Sequence, residues 1–309
     1  KESRKWLESF KAATEAQKEN PKTVIVSVGD READIYELFE LALKDPKGSK
    51  LLVRAQHNRY SVDKNGEQSH VWDYIKSKPE SGIQSIKVPR KGKSPSREVK
   101  LTIRFDEVEL KAPQGKKGLT NVKIWAVLAE EESIAGLSEP LTWMLLTTIP
   151  VNTFEEAVEK VDWYSKRWGI EVFHKTLKSG CKIEDRQLMH TDRIENCLAI
   201  DMIVAWRIYH LTKLGREVPN VACTIFFEEA EWKALVAYKT KNPIAPEQPP
   251  TLREAIRMVA SIGGFLGRKG DGEPGTKTIW LGLQDLDNMT EMWKIFNGRS
   301  DQSSPAPPC

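Results

Sequence analysis

Tyr164, Arg167, Glu171 and Lys178 follow one another at spacings of three, four and seven within WYSKRWGIEVFHKTLKSG, residues 163–180. A helix turns about 100° per residue, so on one continuous helix the four side chains share an arc of about 60°. A phenol, a guanidinium and an ammonium around a carboxylate can grip phosphate oxygens through charge-assisted hydrogen bonds. The carboxylate can hold a hard cation. The same spacing also suits an ordinary Arg167–Glu171 pair on a wet helix face, worth only ~0.3–0.5 kcal/mol. Spacing alone leaves both readings open. His174 and Lys175 lie beside the stripe and are candidates to extend it.

A second carboxylate, Asp30, closes the apolar run TVIVSVGD. The carboxyl end of a buried α/β strand is where such sheets bind ligands. Asp is also a favoured helix N-cap, so Asp30 has a purely local reading too. Glu32 and Asp34 read as charges placed at the helix N-terminus that follows. Two carboxylates from distant segments suit one or two Mg²⁺ ions that clamp the oxygens of a phosphoryl transfer. Such a site usually takes a third acid, and no other acidic residue stands out at a strand end.

Other segments carry weaker signals. The run GGFLGRKGDGEPGTKT, residues 263–278, lacks the Gly-Lys-Ser/Thr order of a P-loop and reads first as a plain loop, with Arg268, Lys269 and Lys277 as possible phosphate contacts. VPRKGKSPSREVK, residues 88–100, gathers Arg90, Lys91, Lys93, Arg97 and Lys100, which fits either a nucleic-acid backbone or a solvated turn. Trp143 reads as core, with base stacking as the alternative. His57, His70, His190 and His210 show no ligand spacing.

The elements that must carry these residues follow from periodicity. Trp6, Phe10 and Ala13 predict a helix over residues 2–19, ended by Pro21. Val24, Ile25, Val26 and Val28 predict a strand covered on both faces, and READIYELFELALKD a helix. LLVRA, residues 51–55, is a second strand, so the chain begins as an α/β layer. Across residues 60–150, strand-like runs alternate with turns. Val99, Leu101, Ile103 and Phe105 alternate with polar neighbours as in a half-buried antiparallel strand. Helices are expected over 153–178, 192–214, 224–240, 251–262 and 280–297, with KNPIAPEQPP as a proline-rich connector. The resulting plan is residues 1–59, a first α/β part; 60–150, an inserted β-rich module; 151–215, the glutamate-bearing helix and the next; 216–298, a C-terminal helical region; and 299–309, a disordered tail.

Bulk properties exclude little beyond the extremes. The chain has 309 residues, 39% hydrophobic and 29% charged, with a formal net charge of +3. That balance fits a globular protein and neither demands nor forbids nucleic acid. Cys181, Cys197, Cys223 and Cys309 have no paired spacing, so free thiols in a reducing compartment are expected and a zinc site is not. The most apolar run, Cys197 to Trp206, is interrupted by Asp201 and is too short to span a bilayer; it reads as a buried core helix. The first residue is Lys1, which suggests a piece of a longer reading frame.

Together these segments resemble the cut-and-paste DDE transposases of bacterial insertion sequences, in the group numbered four that includes the transposase of transposon five. The family's Tyr-x2-Arg-x3-Glu-x6-Lys signature is matched without a gap by Tyr164, Arg167, Glu171 and Lys178. VGDREADIYEL resembles the segment of its second catalytic aspartate, which falls on Asp30. KESRKWL, LLVRAQH, LAEE, WMLLTTIP and IGGFLGRK follow in the family's order. The resemblance implies an α/β chain: a partial RNase H-like catalytic core with an inserted antiparallel β module and a C-terminal helical region for dimerisation and DNA contact. It implies Mg²⁺ (Mn²⁺ as an alternative) held by Asp30 and Glu171, and double-stranded DNA as partner, both transposon-end inverted repeats and target. It also implies a homodimeric synaptic complex, no membrane, and a bacterial cytoplasmic, nucleoid-associated location. Tyr164, Arg167 and Lys178 would contact phosphates, Trp143 would stack a flipped base, and Arg54 matches a DNA-contacting position, with His174 and Lys175 nearby. Gln56 stands where the family has a lysine.

The family's first catalytic aspartate lies upstream of KESRKWL, so the expectation is a fragment that is inactive alone. A reading from another class is a DNA-binding or dimerising module that inhibits a full-length partner. A carboxylate-pair glycosidase is a third, which the basic stripe disfavours.

Overall fold

The computed structural model describes residues 2–63, 66–88, 97–116, 118–132, 140–181 and 183–297. It forms two compact units, the first ending at Arg167 and the second starting at Trp168. The expected segment Arg90, Lys91 and Lys93, and the tail beyond 299, lie outside the described residues.

The first unit is mixed α/β. In chain order it contains α1 (Glu2–Glu19), β1 (Val26–Gly29), α2 (Tyr36–Lys44), β2 (Lys50–Arg54), β3 (Tyr60–Val62), β4 (Gln68–His70), α3 (Val71–Lys76), β5 (Gly82–Val88), β6 (Arg97–Leu110), β7 (Val122–Glu131), β8 (Thr142–Thr147) and α4 (Phe154–Lys166). All eight strands share one sheet in the order β1-β2-β8-β7-β6-β3-β4, with β5 also pairing with β6. Only β1 and β2 run parallel; every other pairing is antiparallel. The strands of residues 60–150 therefore extend the α/β sheet, joined to it where Leu52 to Arg54 of β2 pair with Leu145 to Thr147 of β8.

Strand alternation sorts side chains onto two faces. Ile124, Ala126, Leu128, Met144, Leu146, Val108 and Leu110 join one core with residues of α1, α2 and α3. Val127, Ala129, Leu145, Leu101 and Ile103 join the other, with Val161 and Tyr164 of α4. Both faces are covered, which is why β2 reads as the unbroken apolar run Leu51-Leu52-Val53. The turn after α1 is clamped by Gln17. Its amide donates to the carbonyls of Asn20 and Thr23, and its carbonyl accepts from Ile25 N–H.

The second unit is helical: α5 (Gly169–Ser179), α6 (Thr191–Glu217), α7 (Glu229–Thr240), α8 (Leu252–Ile262) and α9 (Thr276–Asn297). In α8, Leu252, Ala255, Ile256, Val259 and Ala260 form the buried stripe, at the spacing of one helix face. Thr251 and Glu254 close a reciprocal capping box at its start. Its core meets Ile208 and Leu211 of α6, Trp232 and Leu235 of α7, and Ile279 and Leu286 of α9. α8 and α9 touch backbone to backbone. A Cβ on Gly282 would overlap the Val259 carbonyl, and one on Gly263 the Thr278 carbonyl.

Two sequence expectations change. The run Cys197 to Trp206 is not a buried core helix: within α6, Ala205 is buried, but Ile200, Ile203 and Trp206 are 63%, 69% and 55% exposed. Apolar residues surround this 27-residue helix, and only one side is covered by its neighbours. The single helix expected over 153–178 is two helices, α4 and α5. Arg167 and Trp168 keep right-handed helical dihedrals, but the N–H of Arg167 bonds to Tyr164 and that of Glu171 to Trp168, three residues back instead of four. Gly169 follows, a weak helix former. A Cβ there would meet the Tyr209 hydroxyl of α6, which would have to move aside.

Candidate functional site around Asp30

β1 delivers Asp30 at its carboxyl end. Gly29 precedes it because a Cβ there would collide with Ala33 in the tight turn that follows. That turn is a single 3-10 turn, Arg31–Ala33, before α2 begins. Asp30 caps it: Oδ1 accepts the Arg31 N–H at 2.8 Å. The local reading is therefore correct, but it uses only part of the carboxylate. Oδ1 also accepts the Tyr164 hydroxyl at 3.0 Å. Arg54 Nη1 lies 3.9 Å from Oδ1, and Arg167 Nη2 3.4 Å from Oδ2.

Three elements place the surrounding side chains: α4, β8 and β2. Tyr164 continues the inner face of α4 below Ala157 and Val161 and is itself buried. The Trp143 ring, on β8, meets Tyr164 edge-on, with centroids 4.9 Å apart and planes at 72°. Arg54 ends β2 and donates through Nη2 to the Thr142 carbonyl at 3.1 Å. Arg167 is the C-cap of α4, where the helix dipole favours a cation. Asp30, Arg54, Trp143, Tyr164 and Arg167 thus meet in one cluster, although they are far apart in sequence.

Charge dominates the cluster. Partial burial alone would raise the Asp30 carboxyl. The Arg31 N–H, the Tyr164 hydroxyl and the Arg167 and Arg54 guanidiniums outweigh burial and hold it below the ordinary carboxylate range. The Tyr164 phenol shifts upward, chiefly because it is buried and then because Asp30 is adjacent. Two guanidiniums thus face the one Asp30 carboxylate.

A second carboxylate in this unit was misread from sequence. Asp34 does not serve the N-terminus of α2. Its side chain is fully buried: Oδ2 accepts the N–H groups of Gln56 and His57 at 2.7 and 2.8 Å, and Oδ1 accepts Arg59 Nη2 at 2.7 Å. Arg59 also donates to the Asp34 carbonyl at 2.8 Å. This clamp fixes the segment just after Arg54 to the turn just after Asp30. Its only sequence signals are the second aspartate of DREAD and the lone arginine of HNR.

Glu171, His174, Lys175 and Lys178 belong to α5 in the second unit. Glu171 lies in the first turn of that helix. Lys178 pairs with Glu184 at 2.9 Å, both exposed, and the His174 ring is tilted against Phe173. Among the described residues, no three His, Cys, Asp or Glu side chains gather as a metal cluster. Of the other sequence candidates, Arg97 is engaged with Glu131 across the β6–β7 pair, Nη2 to Oε2 at 2.9 Å. The 263–278 segment is a loop with positive φ at Gly264, Gly267, Gly270 and Gly272, where Arg268 N–H bonds to Asp271.

A mixed α/β unit with a carboxylate–guanidinium cluster at the end of its sheet, followed by a helical unit, defines the class of architecture. The comparison with known families adds a particular. Residues 203–302, from within α6 through α9, match the family model described as the transposase Tn5 dimerisation domain. This stretch, about a third of the chain, is similar to a transposase segment that forms dimers, and it supports a relationship to Tn5-like transposases and a role in dimerisation. No described helix is long and apolar enough to cross a membrane.

Proposed function

We propose that the chain supplies the catalytic-core and dimerisation parts of a DDE-class DNA transposase with an RNase H-like core, acting on double-stranded DNA at transposon ends. The observation that carries this reading is the Asp30 cluster, a strand-end carboxylate ringed by Tyr164, Arg54 and Arg167, in the same chain as a segment similar to a transposase dimerisation domain. Arg54, Tyr164 and Arg167 bind non-bridging oxygens of a phosphodiester. Trp143 offers an aromatic edge beside them, and Lys178, His174 and Lys175 are further phosphate ligands. In the reaction, an attacking oxygen loses its proton and forms a new P–O bond while a sugar oxygen leaves in line. The guanidiniums stabilise the extra negative charge on phosphorus.

The family resemblance would give Mg²⁺ or Mn²⁺ to Asp30 and Glu171, for charge neutralisation and activation of the attacking oxygen. The surroundings of Asp30 as they stand do not fit a divalent cation: its oxygens face two guanidiniums, a phenol and an amide N–H. They fit an oxyanion.

The test is cleavage of a duplex carrying the inverted repeats that flank the gene, by the full-length protein with Mg²⁺. Glu171→Gln is expected to abolish cleavage and spare end binding. Unchanged cleavage sinks the assignment. A second reading, a DNA-binding dimerising module without cleavage, draws on the similarity of residues 203–302 to a dimerisation domain. It gains if the unaltered protein dimerises and binds the ends but never cuts them.

A further inference from the structure

The Asp30 cluster has the form of a filled anion site. Its four donors converge on one point from three elements: the Arg31 N–H from the turn after β1, Arg54 from β2, and Tyr164 and Arg167 from α4. The anion at that point is the protein's own carboxylate. Asp34 holds the Arg54 end and the Asp30 end of the cluster in register. Arg54 is further steadied by the Thr142 carbonyl. A hydrogen bond between charged groups loses most of its strength as the ions separate, so each guanidinium can serve one close anion well.

We infer that Asp30 is an internal counterion that a DNA phosphate must displace from Arg54, Tyr164 and Arg167. In the free protein the carboxylate balances one unit of the two guanidiniums' charge. When a phosphodiester oxygen arrives, it takes the Tyr164 hydrogen bond and the two ion pairs, and Asp30 keeps the Arg31 N–H. Asp30 thus weakens DNA binding while it waits and is freed only at an occupied site. The inference rests on the reading of this cluster as a phosphate site, and goes beyond it by giving Asp30 a role against DNA affinity.

Counterion release supplies the measurement. Log K for duplex DNA falls with log salt by ~0.9 for each phosphate that displaces bound salt ions. Where an internal carboxylate already neutralises the cations, there are fewer salt ions to release, so the slope is shallower. The probe is a short fluorescent duplex, titrated in EDTA across about 50–200 mM salt with the chain described here. Asp30→Asn is expected to bind about tenfold tighter at the low-salt end and to steepen the slope by about 0.9, for the one unit of cationic charge that the carboxylate had balanced. Asp30→Ser keeps an N-cap oxygen for Arg31 and is expected to behave alike, which covers poor folding of the asparagine variant. Glu32→Gln removes the same charge from an exposed position two residues away and is expected to leave the slope unchanged.

Adding Arg167→Ala to Asp30→Asn is expected to cancel most of the gain. If Asp30→Asn and Asp30→Ser match Glu32→Gln while Arg54→Ala and Arg167→Ala still weaken binding, the counterion role is overturned and the phosphate site stands. If Arg54→Ala and Arg167→Ala leave binding unchanged, the phosphate site itself falls, and the inference with it.

Discussion

Replacing Asp34 with alanine is expected to destabilise the first unit by about 3–5 kcal/mol, the cost of breaking a buried ion pair from one side. The side chain is wholly buried and its partner Arg59 is only 15% exposed. The same change strips acceptors from the N–H groups of Gln56 and His57, which belong to exposed residues, so water offsets part of a loss of about 1 kcal/mol each. These losses overlap, so the ion-pair figure is the working estimate and not their sum. Urea denaturation followed by circular dichroism measures the total. Amide hydrogen exchange locates it, with protection at Gln56 and His57 expected to fall furthest. Arg59→Ala should cost less, because Asp34 keeps its two backbone donors, and the double variant should cost well under the sum of the singles. A loss below about 1 kcal/mol for Asp34→Ala, with exchange at the two amides unchanged, would show that the clamp is an incidental surface-like pair and refute the reasoning.

Gly282→Ala places a methyl group inside the Val259 carbonyl and must push α9 from α8; a cost of about 1–3 kcal/mol or more is expected, read by denaturation of the second unit. Leu145→Ala removes a fully buried side chain at the centre of the sheet and is expected to cost about 2–5 kcal/mol, checked the same way. Asp106 gives a pH signature. Burial acts to raise its carboxyl, but Lys78 at 2.7 Å, the Tyr74 hydroxyl and the Glu107 N–H hold it below the ordinary range. Its folded pKa is depressed, so its contribution is present above the unfolded value of ~3.9 and is lost as pH falls through the folded one. Asp106→Asn should therefore be less stable than the unaltered chain at pH ~6, with the gap closing in acid. A gap that is constant with pH would rule out the ionic contribution.

How much of this was legible in the sequence depended on the range of the interaction. The alternation of Val99, Leu101, Ile103 and Phe105 gave β6 its inner face, and the spacing in α8 gave its buried stripe, because those patterns are local. β3 and β4 were missed because three residues are too few to show a period. The break at Arg167 and Trp168 was missed because its cause is distant: Gly169 answers to Tyr209 on another helix. The exposed side of α6 was missed because composition shows that residues are apolar and not whether a neighbour covers them. At the site, residue types and spacing pointed to Asp30, Tyr164 and Arg167, the family resemblance added Arg54 and Trp143, and the first unit brings those five together. What spacing could not show was that Asp30 both caps a turn and faces the guanidiniums. Nor could it show that Asp34 holds the surrounding loops.

β7 also bears on how this protein can change over evolutionary time. Its even-numbered residues Ile124, Ala126 and Leu128 fill one core and its odd-numbered Val127 and Ala129 fill the other. Deleting or inserting one residue near Ala126 would trade the cargo of the two sides for the rest of the strand, delivering small residues where large ones were needed. Inheritance can exchange side chains one at a time along β7, but it can alter the strand's length only in steps of two or at its ends. Length variation among descendants of this chain should therefore collect outside β7 and spare the ten residues within it.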